Sequence, residues 1–168
     1  CLSKNFEATF GGFAYSKKTL NHTQNLRWRY GKKFEEVDAV KRNLKPHQLI
    51  ISANFLIKKS VFKTINSQIE RKSYGLDNYF SALLRINKIK VLHINNEVYH
   101  NGLENNRTYI KKSEESITTL LWMKNEKRII QHNNKLLSLY NKFKTFKLNY
   151  ILEVLYLLLG NSMKNNLM

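Results

Sequence analysis

The chain has 168 residues, enough for one domain, and its 42% hydrophobic content with 9 Tyr and 9 Phe provides for a packed core and excludes wholesale disorder. A single Cys excludes an internal disulfide framework and a cysteine zinc cluster, and it fits a reducing compartment. The formal net charge of +17 leaves three readings: nucleic acid, an anionic membrane face, or a compositional bias toward Lys and Asn; Arg, the preferred reader of bases and phosphates, is scarce beside Lys, which argues against nucleic acid.

The sequence starts at Cys1 rather than Met, which predicts a fragment or a processed piece, and residues 1–15 lack the basic start and apolar core of a secretory signal. Residues 6–15 read as a strand. Gly11 and Gly12 inside its apolar run mark either a bend or a place where backbone comes close to another group. Residues 20–30 read as a helix capped by Asn21 or Thr23 and stopped by Gly31. Its cluster of Arg27, Trp28, Arg29 and Tyr30 can stack on a sugar ring or hold phosphate; the plainer reading puts Trp28 in the core and the arginines in solvent. Residues 34–44 read as a polar surface helix ended by Pro46, with His47 solvated in the loop beyond.

Residues 49–57 have the length and β-branched character of a buried strand. Asn54 interrupts it and needs partners, so it either stitches neighbouring backbone or faces a ligand. Residues 58–65 form a short helix with Val61, Phe62 and Ile65 inward, and 66–73 a polar loop. Tyr74-Gly75 is a turn. Asp77 opens a helix over 77–88 with Phe80, Leu83 and Leu84 on one side. Residues 91–94 are a short buried strand in which His93 reads as structural. After the Asn95-Asn96 turn, 97–102 is a second extended piece that delivers His100 to a loop. Asn105 or Asn106 caps a long helical region with a stripe through Tyr109, Ile110, Ile117, Leu120 and Leu121. It breaks or bends at 124–127 and resumes through Ile129, Ile130, Leu136, Leu137, Tyr140 and Phe143. Residues 150–159 are strongly apolar with Glu153 as their one charge, far fewer than the ~20 residues a spanning helix needs. Lys142, Lys144, Lys147 and Lys164 flank them, which fits either a helix lying in a membrane interface or one packed on the domain or on a partner segment. No internal repeat and no low-complexity linker is visible.

Several of these stretches resemble family 2 glycosyltransferases, and more closely a bacterial branch of that family. The resemblance rests on Tyr-Gly-x-Asp-Asn-x-Phe at 74–80, Val-Leu-His-Ile-x-Asn at 91–96 and Val-Tyr-His-x-Gly-Leu-Glu at 98–104. It extends back through Gly-Gly-Phe-Ala-Tyr at 11–15, Leu-Arg-Trp-Arg-Tyr-Gly at 26–31 and the run 52–62, in an order that covers residues 8–120. It implies an α/β fold, namely the later strands of a GT-A sheet with flanking helices and a helical tail. Residues 1–104 would be the C-terminal, acceptor-side half of the catalytic domain, and 105–168 a helical extension. It also implies inverting transfer of a sugar from a nucleotide-sugar donor to a hydroxyl of a cell-surface glycan or glycolipid precursor, at the inner face of the cell membrane.

By the same resemblance Asp77 matches the catalytic base, and an ordinary carboxyl pKa of ~3.9 keeps it ionised at neutral pH. The residue-level alternative is a helix N-cap that contributes ~1 kcal/mol. His100 matches a metal-binding position, with a divalent ion (Mn or Mg) bridging the diphosphate; its alternative is a loop histidine bonded to backbone. Gly12, Arg27, Trp28 and Asn54 are the expected substrate-binding residues. The family often carries Glu-Asp where this chain has Leu76-Asp77, so the first acid is absent. Asp38 and Asp77 are the only two aspartates, so no Asp-x-Asp exists, and there is no Gly-rich phosphate loop. The expectation is an acceptor-side portion that does not turn over alone; the alternative is a non-catalytic basic module for a membrane surface or nucleic acid.

Overall fold

Residues 5–16, 21–70, 72–125 and 135–164 are described in the structure, a computed structural model. The fold is α/β. Strand β1 (Ala8–Phe10) lies between β3 (Phe55–Ile57), antiparallel, and β4 (Val91–His93), parallel, with Phe10 opposite both Phe55 and His93. Beyond it, β2 (Phe13–Ala14) pairs in parallel with β5 (Val98–Tyr99). The two pairings are one parallel ribbon interrupted at Gly11-Gly12, and across the interruption the second strand gains two residues on the first. Gly12 sits at φ +91°, in the left-handed region, which lets the ribbon kink there.

The helices are α1 (Asn25–Phe34, preceded by a 3-10 turn at His22–Gln24), α2 (Ala39–Asn43), α3 (Lys59–Asn66), α4 (Leu76–Ile86), α5 (Asn106–Asn125), α6 (Lys135–Thr145) and α7 (Asn149–Lys164). The apolar spacing of α3 and α4 does what it predicts: Val61 and Ile65 from one and Phe80, Leu83 and Leu84 from the other close over Ala8 and Phe10. Phe10 stacks on Phe55 with ring centroids 5.7 Å apart. Leu120 and Met123 complete this core, so the first helix beyond Glu104 packs as part of the same body. Among the described residues no helix is long and apolar enough to cross a membrane.

Several elements depart from the expected bounds. The helix expected over 20–30 starts at Asn25 and runs through Gly31 to Phe34; Leu20 lies outside the described residues. Gly31 is no stop: a Cβ there would lie 2.2 Å from the Tyr15 ring, so the glycine serves close packing. The polar helix expected over 34–44 shrinks to Ala39–Asn43, because Asp38 caps it by accepting the Val40 N–H at 2.7 Å. Of the strand expected over 49–57 only Phe55–Ile57 pairs; Ile50 and Ile51 are buried without strand pairing, and a turn occupies residues 52–54. His47 is half-buried rather than solvated, and its Nε2 donates to the Ile89 carbonyl at 3.0 Å. The bend at 124–127 meets the end of α5 at Asn125; Glu126, Lys127, Ile129 and Ile130 lie outside the described residues.

One side chain holds the broken ribbon together. Arg42 is 3% exposed. It donates to the carbonyls of Val37 (2.8 Å), Phe10 (3.2 Å), Gly11 (3.2 Å) and Ile94 (2.8 Å), and its Nη1 also donates to His93 Nδ1 at 2.9 Å. The other histidine nitrogen donates to the Pro46 carbonyl at 2.9 Å, so the partners fix the neutral tautomer with the proton on Nε2. Asn43 completes the contact by bonding both the N–H and the carbonyl of His93 at 2.8 Å. The Phe10 and Gly11 carbonyls also accept the Ile94 and Asn96 N–H groups, at 3.0 and 3.3 Å, so the guanidinium fills their second acceptor positions while serving Val37 and Ile94 as well. Arg42→Ala removes five hydrogen bonds of a buried side chain at once, and we expect a loss of ~3 kcal/mol of stability. Urea unfolding followed by circular dichroism checks this; a loss within error of zero would show that water takes over the role.

Candidate functional site

Two groups of side chains lie beyond the carboxyl ends of β1 and β2. The first is organised by Asp77. Ser52 stands three residues before Phe55, whose partner Phe10 ends β1, and the Ser52 side chain is close enough to the Asp77 carboxylate to hold its pKa down. Asp77 therefore sits just outside the carboxyl end of the central strand, where open α/β sheets place their ligands.

Asp77 is not the cap of its helix. The N-cap is Gly75, at φ +86°, and it makes no side-chain cap bond. The expected helix start at Asp77 is corrected to Leu76, and with it the reading of Asp77 as a capping residue. The carboxylate keeps contact with solvent, yet enough protein crowds it that lost hydration lifts its pKa above the ordinary value. The Ser52 side chain opposes the rise and the nearby Glu35 carboxylate adds to it. The result is a stronger base than an ordinary aspartate, open on one side to a hydroxyl.

The turn that sets Asp77 is built on α5. A Cβ at Gly75 would lie 2.6 Å from Ser116 Oγ, and the Thr119 hydroxyl is bonded to the Tyr74 carbonyl at 2.7 Å and to Ser73 Oγ at 3.0 Å. Gly75 is thus required by both its backbone angle and its neighbour.

The second group surrounds Arg27. The residue is 6% exposed, which corrects the expectation of solvated arginines for this one; Arg29 is exposed. Arg27 Nη2 donates to Glu35 (2.9 Å) and to the Tyr15 hydroxyl (3.0 Å), and Nε lies 3.8 Å from Glu104. Its guanidinium stands over the Tyr15 and Tyr109 rings at 5.4 and 5.3 Å. Tyr15 donates its hydroxyl proton to Glu35, and its pKa is driven up by burial and by that carboxylate. Glu104 is held by Lys112 at 2.5 Å and titrates below the usual carboxylate range: burial opposes that shift, and the Lys112 bond and charge outweigh it. His100 stacks on Tyr15 at 5.6 Å and meets Phe13 edge-on at 5.0 Å. Burial and the Arg27 charge push its pKa down, so the ring is neutral. Arg27 Nη1 and His100 Nδ1 are buried without a hydrogen-bond partner.

The residues expected to bind substrate divide accordingly. Asn54 donates to the carbonyls of Gly12 (3.0 Å) and Asn96 (2.8 Å), which is the backbone-stitching alternative. The close approach at Gly12 is to Arg42, whose Nη2 a Cβ there would meet at 2.8 Å. Trp28 is half-buried on α1. As for a divalent ion, the fit is poor within this chain. His100 faces the Arg27 cation, and among the described residues no three His, Cys, Asp or Glu side chains come together to hold a metal. Nothing local in the sequence marks Glu35, Ser52 or Arg42: Glu35 and Arg42 sit in ordinary charged runs, and Ser52 shows only as part of a small polar interruption.

Two tests follow from this geometry. In Gly75→Ala a strained φ and the Ser116 contact combine, and a loss of about 1–3 kcal/mol is expected in thermal or urea unfolding. His93 and His100 both bind protons less readily folded than unfolded. Their contribution to stability is complete above the unfolded pKa of ~6.5 and is lost as pH falls below it. The melting temperature should therefore drop on going from neutral to mildly acidic pH, with a shallower slope in His93→Gln.

Comparison with known proteins adds no relative: no family model, no curated protein and no solved structure matches the chain.

Proposed function

We propose that the chain is the acceptor-side portion of an inverting glycosyltransferase of the GT-A type, family 2, working at the cytoplasmic face of the cell membrane. The observation that carries the proposal is Asp77, a carboxylate spared from capping, raised in basicity, beside Ser52 and open to solvent beyond the end of the central strand. In this reading the carboxylate accepts the proton of an acceptor hydroxyl as that oxygen bonds to the anomeric carbon. The bond from that carbon to the nucleotide diphosphate breaks on the opposite face, and the diphosphate leaves with its electron pair. Ser52 orients the base. Glu35, fixed by Arg27 and Tyr15, keeps a negative charge near it and so keeps its affinity for the proton high. The nucleotide-sugar is held by residues outside this set, since the chain has no Asp-x-Asp and no Gly-rich phosphate loop.

The test is made in the protein translated from the complete reading frame that carries this chain, assayed for transfer from nucleotide sugars to glycan acceptors. Asp77→Asn, which keeps size and hydrogen bonding, should lower kcat by at least ~100-fold, the lower range for a general base, with folding and acceptor KM little changed. The isolated chain should not turn over. Undiminished transfer by Asp77→Asn would remove the base assignment. Absence of any transfer by the complete protein would leave the non-catalytic basic module as the better reading.

A further inference from the structure

The hairpin formed by α6 and α7 has no use in the chemistry proposed for Asp77, and among the described residues it carries the most exposed aromatic side chains. At its tip Phe146 and Tyr150 are both 71% exposed, with exposed Leu148 between them. Along α7, Leu158 is 65% exposed, and Ile151, Val154 and Leu155 are exposed with it. The opposite side of α7 is occupied: Tyr156 donates to Glu114 of α5 at 2.6 Å, and Gly160, one turn on, is buried. At 100° per residue, the exposed apolar positions from Leu157 round to Leu159 sweep about 200° of the helix.

That width argues against a single helix or a second copy as the occupant, because a helix seam needs only a narrow stripe. It suits a fluid apolar phase that wraps the helix. The charges point the same way. Lys142 and Lys144 end α6, Lys147 forms the turn at φ 57°, and all three are exposed around Phe146. Glu153 is the only acid between 135 and 164. Aromatic rings beside lysines are the chemistry of the headgroup boundary, and at 16 residues α7 is short of the ~20 needed to span. We infer that the α6–α7 hairpin docks flat on an anionic lipid surface, with Phe146, Tyr150 and the outer face of α7 in the acyl boundary and Lys142, Lys144 and Lys147 among the headgroups.

This inference does not depend on the glycosyltransferase reading, and its test reads binding alone. The chain is floated with phosphatidylcholine vesicles, with and without phosphatidylglycerol. Flotation with the anionic vesicles only, weakened by salt, is expected. The triple variant Lys142→Gln, Lys144→Gln, Lys147→Gln should bind about 100-fold more weakly, from about fivefold per lysine near an anionic surface. Ile151→Asp with Leu158→Asp should abolish flotation; both positions are exposed, and circular dichroism verifies that the variant is folded. A Tyr150→Trp variant gives an independent reading, with a blue-shifted emission relative to the parent chain on anionic vesicles. No flotation, equal flotation with neutral vesicles, flotation untouched by either set of substitutions, or a dimer dispersed by the Asp pair would each overturn the assignment.

Discussion

A buried guanidinium that finds carbonyl oxygens on every side is the condition on which the site region rests. Where the ribbon kinks at Gly11-Gly12, the Phe10 and Gly11 carbonyls keep one bond each, from the Ile94 (3.0 Å) and Asn96 (3.3 Å) N–H groups, and face inward with a second acceptor position, as the Ile94 carbonyl does with its own. Arg42 supplies donors to all three, and Asn54 serves Gly12 and Asn96 from the other side. An isolated charge would be costly there. Five acceptors, counting the Val37 carbonyl and His93 Nδ1, make it tolerable, and burial alone pulls its pKa down without removing the charge. The kink, once stabilised, carries the chain on to Tyr15 and His100.

The two clusters beyond the strand ends are of opposite kinds. Around Arg27 nearly every polar atom is committed: Glu35, Glu104, Lys112 and Tyr15 neutralise and orient one another, with aromatic faces filling the gaps. Such a network supports; it leaves two inward nitrogens and little freedom. Asp77 is the reverse, a carboxylate with the Ser52 side chain beside it and an exposed face. Rigid surroundings and one loosely committed group are what proton transfer asks of a site, since geometry must be held while the base stays available.

The amphipathic elements were legible in the sequence because their cause is local. The three-to-four spacing of Phe80, Leu83 and Leu84, and of Val61 and Ile65, is written in consecutive residues, and those side chains form the core. Asp77 was visible as a lone acid at a helix start, but whether it capped that helix could not be read, because Gly75 takes the position through a φ that depends on Ser116, far along the chain. Arg42 was invisible for the same reason. Lys41 and Arg42 are adjacent cations in a polar run, and only the distant carbonyls of residues 10, 11 and 94 bury one and leave the other exposed. Gly31 misled because the residue that needs its missing side chain is Tyr15, sixteen positions earlier; local rules make a glycine at that point a stop.

The pairing of Gly12 with Arg42 also restricts the routes by which such a chain can change over generations. A side chain at position 12 meets both an unfavourable φ and the guanidinium, so a substitution there is tolerated only after position 42 has already given up its long side chain. Loss of Arg42 first takes away the side-chain donor that the carbonyls of residues 10, 11 and 94 share at the kink. Each position thus bars the first step at the other, and a lineage that holds this kink is expected to keep both residues or to abandon them together with the interruption in the ribbon.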